Sequence, residues 1–305
     1  MTKKVLHTSL RIGDQNMEYE GIVYRPPSEA YSLIIQVTIG CAHNKCSFCS
    51  MYKNKKFRIR SLKEIFHDLE EGKNYYRRID KIFLADGDAL CLPTDHLKSI
   101  LIKIKELFPQ CNRVGIYATP KDILRKSLED LQELRELGLG IIYMGLESGS
   151  EEILKDINKG VTQKEMIEAG KKVKKSGIPL SLTVISGIGG KDKLYNHGVE
   201  TGKVISEINP DFIGLLTLML EPGTEITDKV ASGEFNLLTP EEVMLETKVL
   251  LQNTEVTNCI FRSNHASNYV SLKGTLPFDK DKLIHTIDEI LKEGYNYKSE
   301  LYRGL

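Results

Sequence analysis

From residue 33 to about 262, short apolar runs rich in β-branched residues alternate with amphipathic stretches. The runs predict strands at Leu33–Ile39, Lys81–Ala85, Arg113–Ala118, Gly140–Leu146, Leu180–Ser186, Phe212–Leu218 and Asn258–Arg262. Helical patterns fall between them, near 61–78, 94–108, 121–137, 151–157, 163–176, 195–208 and 240–253. In Lys121–Leu137, the apolar positions Ile123, Leu124, Leu128, Leu131, Leu134 and Leu137 recur near the helical period. Gly138 follows as a stop, so one continuous helix is expected there. Each helix is long enough to cross a sheet face and return to a parallel strand. Six to seven successive units predict an α/β fold, a parallel full or partial (β/α) barrel of TIM type. An open doubly wound sheet is the alternative. In both, binding groups collect at the carboxyl ends of the strands.

The pattern also divides the chain. Residues 1–32 read as a polar N-terminal extension, 33–273 as the barrel domain, and 274–305 as a C-terminal helix near 279–293 with a tail. Hydrophobic residues make up 41% of the 305, and 42 Lys+Arg balance 42 Asp+Glu, so no overall basic field indicates nucleic acid. No apolar stretch approaches the ~20 residues that span a bilayer, and the first residues lack the apolar run of a secretory signal. A cytoplasmic location is expected, where thiols stay reduced.

That expectation bears on the six cysteines. Cys41, Cys46 and Cys49 crowd together as C-x4-C-x2-C directly after the first strand, whereas Cys91, Cys111 and Cys259 are scattered and read as buried apolar residues. Three thiolates on a short loop suit three irons of a cubane, leaving a fourth iron open to a ligand. Two other readings stand beside it. His43 could complete a Cys3His zinc site in a binding module, for RNA for example, or the cluster could serve a non-catalytic electron carrier.

The loop Gly40-Cys41-Ala42-His43-Asn44-Lys45-Cys46-Ser47-Phe48-Cys49 resembles the signature of the radical S-adenosylmethionine (radical SAM) superfamily. Its first cysteine gap is one residue longer than the usual C-x3-C-x2-C, and Phe48 matches the aromatic before the last cysteine. The style is that of the coproporphyrinogen-oxidase-like and methylthiotransferase-like branch. Ala85-Asp86-Gly87-Asp88 resembles the Gly-Gly-Glu element that receives the methionine amino group, with Asp88 standing for the Glu. Gly145-Leu146-Glu147-Ser148-Gly149-Ser150 and Asn158-Lys159-Gly160 are similar to the segment that binds ribose, through Glu147, and the methionine carboxylate, through Lys159. Val184-Ile185-Ser186-Gly187-Ile188-Gly189-Gly190 is similar to the element along the adenine, and Tyr117 and Thr183 occupy strand positions that carry polar cofactor contacts in those branches.

The resemblance implies a [4Fe–4S] cluster on Cys41, Cys46 and Cys49 and S-adenosylmethionine as cofactor. Phe48, Asp86, Gly87, Asp88, Tyr117, Glu147, Ser148, Lys159, Thr183 and Gly187 would hold the cofactor. The implied chemistry is reductive cleavage to a 5′-deoxyadenosyl radical that acts on an unidentified substrate, with a flavodoxin or ferredoxin as reductant. The polar segment after the last strand supplies Arg262, Asn264, His265 and Asn268 as candidate substrate contacts, with a polar turn as the competing reading.

Overall fold

The computed structural model describes residues 17, 19–292 and 294–304. Residues 1–16 and 18 of the expected extension, and Glu293 at the end of the expected last helix, lie outside them. The alternating apolar runs form β1 (Leu33–Gln36), β4 (Lys81–Ala85), β5 (Arg113–Ala118), β6 (Leu139–Glu147), β7 (Leu180–Ser186), β8 (Phe212–Thr217) and β9 (Cys259–Arg262). A small hairpin, β2 (Thr38–Ile39) with β3 (Arg58–Ile59), brackets the cysteine loop, and β10 (Lys273–Leu276) comes last. The large sheet runs in the order β1-β4-β5-β6-β7-β8-β9-β10. Every neighbouring pair is parallel except β9 with β10.

The helices are α1 (Leu62–Tyr75), α2 (Thr94–Leu107), α3 (Pro120–Arg125), α4 (Leu128–Glu136), α5 (Glu151–Asp156) and α6 (Gln163–Ser176) in the first half. The second half adds α7 (Leu194–Ile208), α8 (Glu225–Ser232), α9 (Pro240–Gln252) and α10 (Lys280–Ile290). Alternate strand residues such as Ile35, Leu84, Ile116, Met144, Leu182 and Leu215 pack with the helices in one continuous core. The intervening residues Ile34, Phe83, Ala85, Ile141 and Tyr143 form a separate cluster on the other face. Helices therefore cover one face while the other curves on itself, as in a partial barrel and unlike a doubly wound sheet. β1 and β10 are its two edges.

The barrel floor is closed from the N-terminal side. Glu29, fully buried, accepts from Arg113 Nη2 at 2.6 Å and is hydrogen-bonded to Tyr143 Oη.

The structure departs from the sequence reading in four places. The expected helix over 121–137 is two helices, because Ser127 and Asp130 form a capping box that starts α4 while Lys126 is extended. The expected strand 33–39 breaks at Val37 into β1 and β2, so its last residues leave the sheet to pair with β3. Helix α8, too short to show a clear period, was not anticipated. Finally, β10 runs across the expected 273/274 boundary and adds an antiparallel strand to the sheet.

Candidate cofactor-binding site

Gly40 opens the cysteine loop with a φ of 77°, a conformation that favours glycine. Its N–H donates to Asp86 Oδ2 at 3.0 Å, and the same oxygen accepts from Lys55 Nζ at 2.8 Å and Gln36 Nε2 at 3.1 Å. Asp86 is fully buried beneath the loop, where Oδ2 ties the loop's two ends to β1 and Oδ1 has no hydrogen-bond partner. Gly87 has a packing reason of its own: a Cβ there would lie 2.4 Å from the ring of Tyr52. Phe48 packs against the main core from the loop.

The loop is docked on the turn after α5. Ser47 N donates to Ile157 O at 2.9 Å, Asn158 Nδ2 donates to Lys45 O at 3.2 Å, and His43 Nε2 lies 2.7 Å from Asn158 O. The His43 ring lies on Gly160, where a Cβ would come within 2.5 Å of it. Cys41, Cys46 and Cys49 are all half-buried free thiols. Burial raises all three, Cys46 to about 11, while nearby Lys159 pulls in the opposite direction.

Lys159 Nζ donates to Glu147 Oε1 at 2.9 Å, so two residues expected to bind opposite ends of one ligand are each other's partners. Gly145 makes room for the pair, since a Cβ there would meet Glu147 Oε1 at 2.2 Å and Lys159 Nζ at 3.0 Å. Burial acts to lower Lys159, but Glu147 and then Cys46 outweigh it and hold the ammonium above its ordinary range. Glu147 has a φ of 60°, at the bulge where β6 pairs with β7. A non-glycine residue held there costs about 1–3 kcal/mol and persists only where its surroundings fix it.

The remaining expected residues divide. Tyr117 and Thr183 sit on the inner face of the barrel, and their hydroxyls have no hydrogen-bond partner among the described residues. Tyr117 stands edge-on to Phe83 at 4.9 Å. Ser148 is buried with its Oγ accepting from Ser150 N at 3.0 Å. Gly187 has a φ of 80° and donates its N–H to Glu246 Oε2 at 2.8 Å. Asp88, 2% exposed, is driven up to about 9 by burial and by Asp122, whose carboxyl it faces, and its Oδ1 is buried without a partner. Asp122, in the first turn of α3, was not among the expected residues; it accepts from Thr119 Oγ1.

At the far end of the barrel, Arg262 lies on the inner face with Ile260 and has no acidic partner among the described residues. Its Nη1 donates to Phe261 O at 2.9 Å. Asn268 is different. It is 4% exposed, donates to Leu215 O and Ser263 O, and its Oδ1 accepts from Thr217 Oγ1 at 2.9 Å. His265 Nδ1 is engaged by Ser267, and Asn264 is exposed. For Asn268 and His265 the loop-anchoring reading describes the bonds observed. A cavity of about 220 Å³ lies beyond Gly187, lined by Ser186, Thr217, Tyr269 and Arg303. It lies at the carboxyl ends of β7 and β8, where Ser186 Oγ is bonded to Glu246 on α9.

Among the described residues, no three His, Cys, Asp or Glu side chains converge closely enough to ligate one metal ion. A single tetrahedral zinc needs that convergence. A cubane needs less, since each thiolate takes its own iron.

The profile of the radical SAM superfamily matches residues 35–195, more than half of the chain and all of the strand-end groups up to Gly187. The chain belongs to the radical SAM superfamily. It is an enzyme, and its cofactors are those of the superfamily, a [4Fe–4S] cluster and S-adenosylmethionine. It is 25% identical over 218 residues to a putative methylthiotransferase of Methanocaldococcus jannaschii, covering 68% of this chain and 46% of that one. It is also 21% identical over 295 residues to the heme chaperone HemW of Bacillus subtilis, covering 85% of this chain and 76% of that one. The fold is that of coproporphyrinogen III oxidase (HemN) from Escherichia coli, a radical SAM enzyme, with a TM-score of 0.53 at 19% identity over 72% of this chain and 52% of that one. The chain thus spans under half the length of the methylthiotransferase relative. No helix among the described residues is long and apolar enough to cross a membrane.

Proposed function

We propose that Cys41, Cys46 and Cys49 hold the [4Fe–4S] cluster with one iron open, and that the protein uses it to cleave S-adenosylmethionine reductively. The observation that carries this reading is one juxtaposition: three half-buried thiols lie beside Lys159, a cation held charged at the end of β6. The residues present fit both groups. The thiols are soft donors without a fourth cysteine on the loop, Asp88 Oδ1 after β4 is buried without a partner, and the hydroxyls of Tyr117 on β5 and Thr183 on β7 are unbonded among the described residues. When bound, the cluster supplies the single electron that splits the sulfonium into methionine and a 5′-deoxyadenosyl radical.

The chain's own residues bind, orient and shield. Lys159 uses one of its three donors on Glu147, which leaves two for the methionine carboxylate. Asp88 offers its unbonded oxygen to the methionine ammonium. Glu147 keeps Oε2 for the ribose hydroxyls, Gly187 lies along the adenine, and Tyr117 and Thr183 line the approach. Asp86, Gly87, Phe48 and Ser148 act through the loop and turns they fix. Arg262, alone of the four residues expected at the substrate, keeps an inward guanidinium without a carboxylate partner and is the substrate contact we carry forward.

The test is direct. Oxygen-free protein reconstituted with iron and sulfide, then given dithionite and S-adenosylmethionine, should release 5′-deoxyadenosine, and a reduced flavodoxin or ferredoxin should replace dithionite. The reading fails if the wild type releases none, or if Cys46→Ala releases as much.

A further inference from the structure

Behind the two strand ends proposed to hold the nucleoside lies a buried pair of side chains from the outer helices. His197 on α7 is 0% exposed and Glu246 on α9 is 1% exposed. His197 Nδ1 lies 2.9 Å from Glu246 Oε1, and Nε2 lies 3.3 Å from the backbone oxygen of Glu147. The second carboxylate oxygen of Glu246 accepts from Gly187 N at 2.8 Å and from Ser186 Oγ. Nδ1 and Oε1 meet without hydrogen-bond alignment and neither has another partner, so the link across the pair is a close polar contact between two buried side chains.

Helix packing alone does not call for this pair. Next to it, α7 and α9 meet closely through Gly198, where a Cβ would lie 2.8 Å from Val249. Apolar residues of similar volume commonly serve a buried ion-pair position as well or better. What distinguishes the pair is where its two ends stop. One holds the carbonyl of Glu147, the residue with the left-handed φ of 60°, and the other holds the amide of Gly187.

We propose that His197 and Glu246 are positioning residues for the nucleoside half of S-adenosylmethionine. Together they fix the distance between the carboxylate that faces the ribose and the turn that faces the adenine. They act through backbone atoms and touch no ligand themselves. The inference rests on the assignment of Glu147 and Gly187 made above.

The test uses the reconstituted enzyme and three probes: S-adenosylmethionine, 5′-methylthioadenosine, which lacks the amino-acid end, and methionine, which lacks the nucleoside. The double variant His197→Leu/Glu246→Met replaces both polar side chains while keeping an apolar filling. Its melting temperature should fall by a few degrees, because Gly187 N and Ser186 Oγ lose their acceptor, while in the folded protein the Kd for 5′-methylthioadenosine rises at least tenfold and that for methionine changes less than twofold. A milder variant, His197→Gln, keeps a donor toward Glu147 O and should show the same selectivity with a smaller loss. Nucleoside binding equal to wild type in the folded double variant overturns the inference, as does an equal loss for methionine and nucleoside in His197→Gln. Wild-type enzyme that binds methionine but not 5′-methylthioadenosine removes the assignment of Glu147 and Gly187, and the inference with it.

Discussion

The groups around Cys46 and Lys159 and the segment 262–269 are both polar clusters at strand ends, but their atoms are engaged very differently. Around the thiols, bonding capacity remains: Asp88 Oδ1 has no partner, and Lys159 has donors beyond its bond to Glu147. In the second cluster it is spent at Asn268 and at His265 Nδ1, while Arg262 keeps donors free. Asn268 is bonded to Leu215 O, Ser263 O and Thr217, and His265 is bonded to Ser267. Residue type alone marks both segments as candidate sites. Unspent hydrogen-bonding capacity, which buried polar groups rarely retain without a reason, separates them.

The sharpest way to break the contrast is at the thiols. Cys46→Ala should lower iron from about four per chain to well below half after oxygen-free reconstitution, with 5′-deoxyadenosine release down more than ~100-fold. Iron analysis and chromatography of the nucleoside read both.

Lys159→Met comes next. It leaves Glu147 buried without its partner and removes the cation beside the thiols, so cleavage should fall by about 10- to 100-fold, a cost on the scale of one charge-assisted hydrogen bond. The same variant makes a pH prediction in iron-free protein. Thiolate forms as pH rises, so alkylation of Cys46 should increase through a midpoint of about 11 in the wild type, and at higher pH in the variant, because Lys159 lowers the thiol. Alkylation rates followed by mass spectrometry measure both midpoints.

In the second cluster the effect should fall on stability. Asn268→Ala strands buried backbone acceptors and should cost about 1–3 kcal/mol in denaturant unfolding, while 5′-deoxyadenosine release by the folded fraction stays unchanged.

The smallest effect is expected at Asp88. Burial, and then the facing carboxyl of Asp122, raise it above the ordinary carboxylate range, so the fold favours the protonated form. The folded state then binds more protons than the unfolded one above the ordinary carboxylate range, and stability is lost as pH rises through the raised value. Asp88→Asn, which mimics the protonated form, should melt a few degrees above wild type at pH 8 and show no such gain near pH 3. The gain should come with weaker S-adenosylmethionine binding, a trade of stability against function.

Much of this arrangement is legible in the sequence. The β/α alternation predicts the parallel sheet because inner and outer strand positions and helix faces each leave a hydrophobic period. The cysteine spacing and Glu147 are legible because they sit at strand ends, and Lys159 follows in the turn after α5. Other features depend on contacts between segments far apart in the chain. The bonds of Asp86 Oδ2 to Lys55 and to the amide of Gly40 leave no local mark in the sequence. Asp122 and the His197–Glu246 pair carry no local motif, since their partners lie on other β/α units. The break at Lys126 was legible in principle: Ser127 and Asp130 form a capping box that the apolar period of the surrounding leucines masks.

The central claim is that three thiols hold the cluster and leave one iron open to S-adenosylmethionine. Electron paramagnetic resonance of the reduced, reconstituted protein tests it most directly, recorded before and after the ligand is added. A reduced [4Fe–4S] signal that changes on addition of S-adenosylmethionine, and is unaffected by the same amount of adenosine, is the predicted result. A signal that does not respond to S-adenosylmethionine, or a reconstituted protein without iron, would contradict it.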